Sequence, residues 1–362
     1  HKFNRIHYTL RKTYNLIFMK AIIQKEYGGV DKLTLEEVEK PLISKNQILV
    51  EVHTANVSIG DMRVNTLDIP LPFIPIFKII FGFKGPRNQI RGITGSGVVS
   101  EIGNNVKEYK VGEKIYFINS LKAGCLAEYV VLNKKSIIAK IPENISFNES
   151  APLAFGAMSA LHFVNKSTIQ KDDQVLIYGA SGSVGSYALQ LAKYYGAIVT
   201  AVCSEKNHKI MKQIGADYVI DYHNTDFTKG NKKYDYVFDS VMKTKKNDVK
   251  KVLSPNGKYK TTKTPTSEKI EKLKTINQII KKGKLTTVID KVYEFQHYKE
   301  AHEHVYSKHK TGNVLIKIIW LTKINIFVMK DLVERYKETK NLIRYLTQCG
   351  FSIDFLNDEI WL

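Results

Sequence analysis

With 362 residues the chain is long enough for two domains, and a hydrophobic fraction of 43% supplies real cores. Cys125, Cys203 and Cys349 are far apart and odd in number, which excludes a disulfide framework and points to a reducing compartment, the cytoplasm. The formal charge of +20 raises nucleic acid or an anionic membrane as partners, but the excess is nearly all lysine spread along the chain, so compositional drift is preferred and nucleic acid is not expected.

His1–Phe18 carries Lys2, Arg5, Arg11 and Lys12 and no acid, as a transit peptide does. The preferred reading is translated upstream sequence, because Met19-Lys-Ala-Ile-Ile resembles a natural start. From Met19 to about Lys140 the pattern is all-β. Ala21–Gln24, Gln47–Val52, Gly97–Glu101, Lys114–Phe117 and Ala127–Leu132 are short strand patterns separated by turns, which predict a partly open barrel. Among them lies the apolar stretch Leu71–Phe83, too broken by proline for a long helix. Two readings stay open for it: a loop packed on its own domain, or a wall or lid over a substrate cleft. No apolar run reaches the length of a membrane span. Ile69–Phe83 comes closest, and prolines and Lys78 interrupt it.

Pro142–Leu161 reads as a crossover into a second domain. There Val175-Leu-Ile177 is a short buried strand, followed by the turn Gly179-Ala-Ser-Gly-Ser-Val-Gly185 and at once by a helical pattern. Strand, glycine turn and helix N-terminus together cradle a pyrophosphate, because backbone N–H groups and the helix dipole favour its charge. The alternative for such a motif is a tight turn without ligand. The context favours the ligand. Strands at Ala197–Cys203, Tyr218–Ile220, Tyr234–Asp239 and Lys258–Thr262 alternate with helices, including Asn207–Ile214, as a doubly wound parallel sheet requires. Strand patterns return at Thr286–Val292 and Gly312–Ile319, so the barrel is expected to be discontinuous. Met329–Cys349 is helical in pattern, a docking helix or the start of an unrelated frame. The expected layout is an extension over 1–18, a barrel domain over 19–140, a nucleotide domain over 141–286, a return to the barrel over 287–319, and an unassigned extension over 320–362. Both extensions are expected to be loosely held.

Met19–Ile319 resembles the medium-chain dehydrogenase/reductase superfamily, in its zinc-free, quinone-oxidoreductase-like (zeta-crystallin-like) branch. The residues that carry the resemblance are Gly92-Ile-Thr-Gly-Ser-Gly-Val-Val-Ser-Glu-Ile-Gly103, Val111-Gly-Glu-Lys-Ile-Tyr116, Gly124-Cys-Leu-Ala-Glu-Tyr129, the glycine turn, Gly215-Ala-Asp217 with Val219-Ile-Asp-Tyr222, and Lys310-Thr-Gly-Asn-Val314. The resemblance implies an α/β fold: a Rossmann doubly wound parallel sheet plus a GroES-like partly open β-barrel domain, with NADPH in the cleft between them.

Zinc-dependent members carry a Cys where this chain has Ser58, and a His-Glu pair where it has Ile93 and Thr94. Neither Ser58 nor Ile93 supplies a zinc ligand, so no metal is expected. Without a Lewis acid, alcohol oxidation gives way to hydride delivery onto a conjugated acceptor. NAD-binding enzymes place an acid at the end of the second Rossmann strand. Here Ser204 can donate to a 2′-phosphate and Lys206 can neutralise it, while Glu205 argues the other way and Lys206 is alternatively a solvated lysine. Tyr222 matches a position that contacts the adenosine phosphate in related reductases. The remaining cofactor residues implied are Ser159, Gly179, Ser181, Gly182, Ser183, Val184, Gly185, Ser240, Val241 and Asn313. Ser58 and Asp61 are the catalytic candidates, Asp61 alternatively a helix-capping or turn aspartate. Relatives run longer between Thr262 and Lys272 and place a dimer-pairing edge strand there, so this chain is expected to be a monomer or weak homodimer. The expected activity is NADPH-dependent reduction of a small hydrophobic quinone or α,β-unsaturated carbonyl. The alternatives are a nucleotide-binding regulator or RNA-binding member of the fold, and a defective or chimeric product.

Overall fold

The computed structural model describes residues 18–165, 167–318, 354–356 and 359–361. Expectations for residues 1–17 and for the helix Met329–Cys349 lie outside the described residues. Two units are present, one ending at Ile318 and one beginning at Ile319. In the second, Asp354–Leu356 pairs antiparallel with Glu359–Trp361, where the sequence assigned nothing. Phe18, placed in the extension by the sequence reading, is the first residue of strand β1 and pairs with Glu39.

The first unit is built on two large sheets. β1 (Phe18–Gln24) and β2 (Leu33–Glu39) form a separate antiparallel pair. β3 (Gln47–Val57), β4 (Thr94–Ile102), β5 (Lys114–Ile118), β6 (Tyr129–Asn133) and β7 (Ile137–Lys140) belong to a seven-stranded sheet. The long β3 is its spine. It pairs with β6 through its first half and with β4 along most of its length. Its C-terminal end pairs with β14 (Asn313–Lys317), which in turn pairs with β13 (Ile289–Glu294). The chain thus returns to the first sheet after building the second, and Val314 and Ile316 fill the same core as Val50 and Val52.

The second sheet has five parallel strands: β8 (Gln174–Tyr178), β9 (Ile198–Cys203), β10 (Tyr218–Asp221), β11 (Tyr234–Asp239) and β12 (Leu253–Thr261). Their spatial order is β10-β9-β8-β11-β12. The direction of winding reverses between β8 and β11, which opens a crevice at their C-terminal ends. Val175, Ile177, Val199 and Ala201 pack on the helix Ser183–Tyr194 through Ala188, Leu191 and Ala192.

Several elements escaped the sequence pattern, among them the helices Ile270–Lys281 and Tyr298–Tyr306. β2 and β7 were not read. The helix Ile59–Thr66 mixes Arg63, Asn65 and Asp61 with its apolar residues, so no stripe announces it. β12 begins at Leu253, ahead of the expected Lys258, because Ser254–Gly257 bulges out between two paired stretches. In the stretch Leu71–Phe83, Leu71–Phe73 is a single 3-10 turn and Ile74–Phe81 a short helix with no buried residue. The stretch is thus short helical turns in place of a plain loop; it rests on its own domain through buried Gly82, whose carbonyl accepts from the Tyr27 hydroxyl at 3.0 Å, while most of its large side chains stay exposed.

Among the described residues no strand follows β12 in the second sheet, and β12 is its edge. That edge carries exposed Lys258 and Lys260 and a proline, Pro255, all of which oppose strand addition. We expect light scattering at micromolar concentration to give a monomer. A stable dimer would show that another surface does the pairing.

Candidate active site

The site starts from the turn after β8. Gly179 has φ +74°, and a Cβ there would lie 2.6 Å from Val241 Cγ1 and 2.8 Å from Ser240 Oγ. Gly182 caps the helix Ser183–Tyr194 without a side-chain hydrogen bond, which leaves the first turn open to an anion. At Gly185 an added Cβ would meet the Gly179 carbonyl oxygen at 2.2 Å. Only glycine lets helix and strand approach this closely. Ser181 and Ser183 are tied to the return strand: the Gly312 N–H donates to the Ser181 carbonyl at 2.7 Å, and Ser183 Oγ donates to Asn313 Oδ1 at 2.6 Å. Val184 packs partly into the core beneath.

Asn313 was expected to touch cofactor. It is 1% exposed, accepts from Ser183 and donates through Nδ2 to the Val288 carbonyl at 2.9 Å. Its part is corrected to that of a tie that orients Ser183.

The second cluster lies where β9 ends. Ser204 Oγ accepts from Asn207 Nδ2 at 3.1 Å, and Asn207 Oδ1 accepts from Thr311 at 2.8 Å. Lys206 reaches the His309 carbonyl at 3.4 Å. Segments 204–207 and 309–311 are therefore laced together, with Lys310 beside them. The Lys310 ammonium donates to the Gly312 carbonyl, and burial pulls its pKa down to about 8 against the opposing pull of Asp290. Glu205 belongs to the 3-10 turn Glu205–Asn207 and is exposed. Tyr222 follows β10, half-exposed, its ring 6.4 Å from that of Tyr178 at the end of β8.

The third cluster faces the first sheet. Ser240 Oγ donates to the carbonyls of Tyr178 and Gly179, and Asp239 accepts from the N–H groups of Val241 and Thr244. These bonds fix the Ser240–Val241 corner beside the glycine turn. Ser159 lies buried in the helix Met158–Phe163, which packs on the glycine-turn helix. Across the cleft, a Cβ on Gly60 would lie 3.2 Å from Phe155 and 3.4 Å from Ile93 Cδ1, and the Arg63 guanidinium lies 3.8 Å from Met242 Sδ. The sequence reading missed Gly60, Arg63, Phe155 and Met242. They join segments far apart in the chain, and no local spacing marks them.

Ser58 and Asp61 were expected to be catalytic. They form a capping box on the helix Ile59–Thr66: Ser58 donates to Asp61 Oδ2 through Oγ at 2.6 Å and through its N–H at 2.9 Å, and the Asp61 N–H donates back to Ser58 Oγ. Asp61 Oδ1 accepts the Ile93 N–H at 3.1 Å. Burial raises the Asp61 pKa, opposed by these hydrogen bonds and by the charge of Arg91. Both residues are almost wholly buried, so the geometry makes them positioning residues for Gly60 and Ile93.

A zinc ion does not fit this donor set. Ser58 is used in the cap, both Asp61 oxygens are occupied, and Ile93 is apolar. Among the described residues no three His, Cys, Asp or Glu side chains gather to hold a metal.

The family model described as an alcohol dehydrogenase GroES-like domain matches residues 44–143, and the one described as a zinc-binding dehydrogenase matches residues 183–305. The NADPH-dependent alkenal/one oxidoreductase of Arabidopsis thaliana chloroplasts is 30% identical over 82% of this chain and 79% of its own length. The 2-methylene-furan-3-one reductase of Solanum lycopersicum is 31% identical over the same shares. The quinone oxidoreductase structure from Coxiella burnetii superposes with a TM-score of 0.71 at 26% identity, over 83% of this chain and all of that one. The chain belongs to the medium-chain dehydrogenase/reductase superfamily, in its quinone-oxidoreductase-like branch. It is an NAD(P)H-dependent oxidoreductase. The α/β fold expected from the motifs, a Rossmann sheet with a GroES-like barrel, is the fold observed.

The capping box yields a prediction. Asp61→Ala leaves two buried N–H donors and the Ser58 hydroxyl without their acceptor, at a cost on the order of 3 kcal/mol. Chemical denaturation should show that loss. Abolished turnover at unchanged stability would restore a catalytic part to Asp61.

Proposed function

We propose that this oxidoreductase is metal-independent and passes a hydride from NADPH to a quinone or an α,β-unsaturated carbonyl. The observation that carries the reading is a glycine turn at the crevice between β8 and β11, facing a cleft wall without metal donors. The names of the relatives point the same way, and they leave a non-catalytic or RNA-binding role without support.

The residues divide the work along the cofactor. Ser181, Gly182, Ser183 and Gly185 offer the open helix N-terminus to the pyrophosphate. Ser204, Lys206 and Tyr222 are proposed around the adenosine phosphate, with Lys310 as a further cation behind them. Ser159, Ser240 and Val241 bound the nicotinamide end. When bound, NADPH supplies the hydride, and the protein orients it and excludes water. Gly60 allows the barrel wall to close on Phe155, and the Ser58–Asp61 cap keeps that wall in place through the Ile93 N–H. A conjugated acceptor spreads the developing charge onto its own oxygen, so it asks less of the wall than a simple ketone would. The unpaired, buried thiols Cys125 and Cys203 suit a reducing compartment, and the cytoplasm is the proposed one.

The deciding experiment is a panel of quinones, enals and simple ketones with NADPH and NADH. Turnover of ketones or alcohols alone would overturn the reading. Elemental analysis should find no tightly held zinc, and chelators should leave activity intact. Lys206→Ala should weaken NADPH binding about tenfold or more, since a charge-assisted contact is worth roughly 1.5–3 kcal/mol, and should barely change NADH binding. Equal losses for both cofactors would show that Lys206 acts through folding.

A further inference from the structure

The apolar stretch left without a partner has a use of its own. Leu71, Phe73, Ile76, Ile79, Ile80 and Phe83 are each between 53% and 80% exposed. Ile76, Ile79 and Ile80 fall at i, i+3 and i+4 on the helix Ile74–Phe81, so they share one face, and that face is turned outward. Leu121, 74% exposed, stands beside them across a cavity of about 190 Å³. Soluble surfaces scatter such side chains singly; this many on one short segment form a patch with a purpose.

Charge says what the patch meets. From Ile69 to Ser100 the chain has no acid, and Lys78, Lys84 and Arg87 lie on or near the surface there, with Lys122 from the facing loop. Among the described residues none of these four cations takes part in an ion pair. A second copy docked on the patch would bring these cations against their own kind. An acidic protein partner would satisfy the cations and leave the apolar face unexplained. A bilayer of anionic lipid satisfies both at once, phosphates for the cations and acyl chains for the apolar face. No single helix among the described residues is long and apolar enough to cross a membrane; the bent pair Ile59–Thr66 and Leu71–Phe81 has the length, but Asp61 and Asn65 of its first helix are buried within the protein, so the proposed contact is with one face of the bilayer.

We propose that Leu71–Phe83 is an interfacial anchor that seats the protein on an anionic bilayer. The adjoining cavity gives this seating a consequence that rests on the reductase reading. It is lined by Ile80, Phe81 and Leu121 at the patch and by Arg91 and Ile93 toward the cleft. Seated on lipid, its mouth opens to the layer in which a hydrophobic quinone or enone dissolves.

The test is sedimentation of the full chain with phosphatidylcholine vesicles, with and without phosphatidylglycerol, at low and high salt. The wild type should pellet with the anionic vesicles and release at high salt. The triple variant Ile76→Ser, Ile79→Ser, Phe83→Ser should lower partitioning at least about tenfold, given three exposed side chains of this size, with an unchanged melting temperature. Lys84→Glu, Arg87→Glu, Lys122→Glu should abolish the preference for phosphatidylglycerol. A wild type that stays in the supernatant, or a triple Ser variant that pellets equally, overturns the proposal. So does lipid-free self-association that the triple Ser variant abolishes, since the patch then binds a second copy. The activity arm is separate. The triple Ser variant should keep its rate with a water-soluble quinone and lose it with a long-chain quinone dissolved in vesicles. If the wild type reduces neither while still pelleting, the reductase reading fails and the anchor stands.

Discussion

The contact on which the site depends is the approach of the Gly185 backbone to the Gly179 carbonyl. It sets how deeply the helix Ser183–Tyr194 sinks toward the end of β8, and so where its uncapped first turn points. A side chain at 185 would lift the helix away and move the anion cradle with it. The same turn is held from the other direction by Gly312 and Asn313, which arrive on a strand of the first sheet. Gly312 has φ +69°, and a Cβ there would meet the Val288 carbonyl at 2.2 Å. The cradle is therefore closed by two glycines distant in the chain, each chosen for the room it leaves. The proposed cofactor cradle and the junction between the sheets are one structure.

The opposite wall is organised by a buried carboxylate. Asp61 accepts from Ser58 and Ile93, so a single group fixes a helix start and a neighbouring loop against each other. Burying a charge is costly unless its hydrogen bonds are complete, and here both oxygens are engaged. Arg91, itself buried, donates to Asn65 Oδ1 at 2.8 Å on the same helix and adds its charge nearby. Such a network stiffens the wall that faces Phe155, where a reductase that relies on orientation needs rigidity.

What the sequence disclosed follows the range of the interactions. The glycine turn, the β8 strand and the alternation behind them are local patterns, and they gave the fold and the anion cradle. The end of β11 could be located as well, because Asp239 closes a tight turn on Val241 and Thr244 within a few residues. The cleft wall could not. Gly60 matters because Phe155 comes to it from another domain segment, and Met242 matters because Arg63 reaches it. Ser58 and Asp61 drew attention through their place in a family pattern, yet their spacing of three residues, Ser followed by Asp, is also the signature of a capping box. Asn313 misled for the related reason that a match of motif marks a position without saying which way its side chain turns.

The five-stranded sheet supports the Ser240–Val241 corner from both sides. The crevice lies between β8 and β11, and only β12 separates it from the edge. β11 pairs with both β8 and β12, so the corner Ser240–Val241 is supported on either side. Thr262 reinforces it from beyond β12, through its N–H to the Asp239 carbonyl at 3.2 Å and its hydroxyl to the Ser240 carbonyl at 3.3 Å. A further strand would add its hydrogen bonds to β12, one strand removed from the proposed cofactor crevice. The corner Ser240–Val241 is thus set by β8, β11, β12 and Thr262 alone.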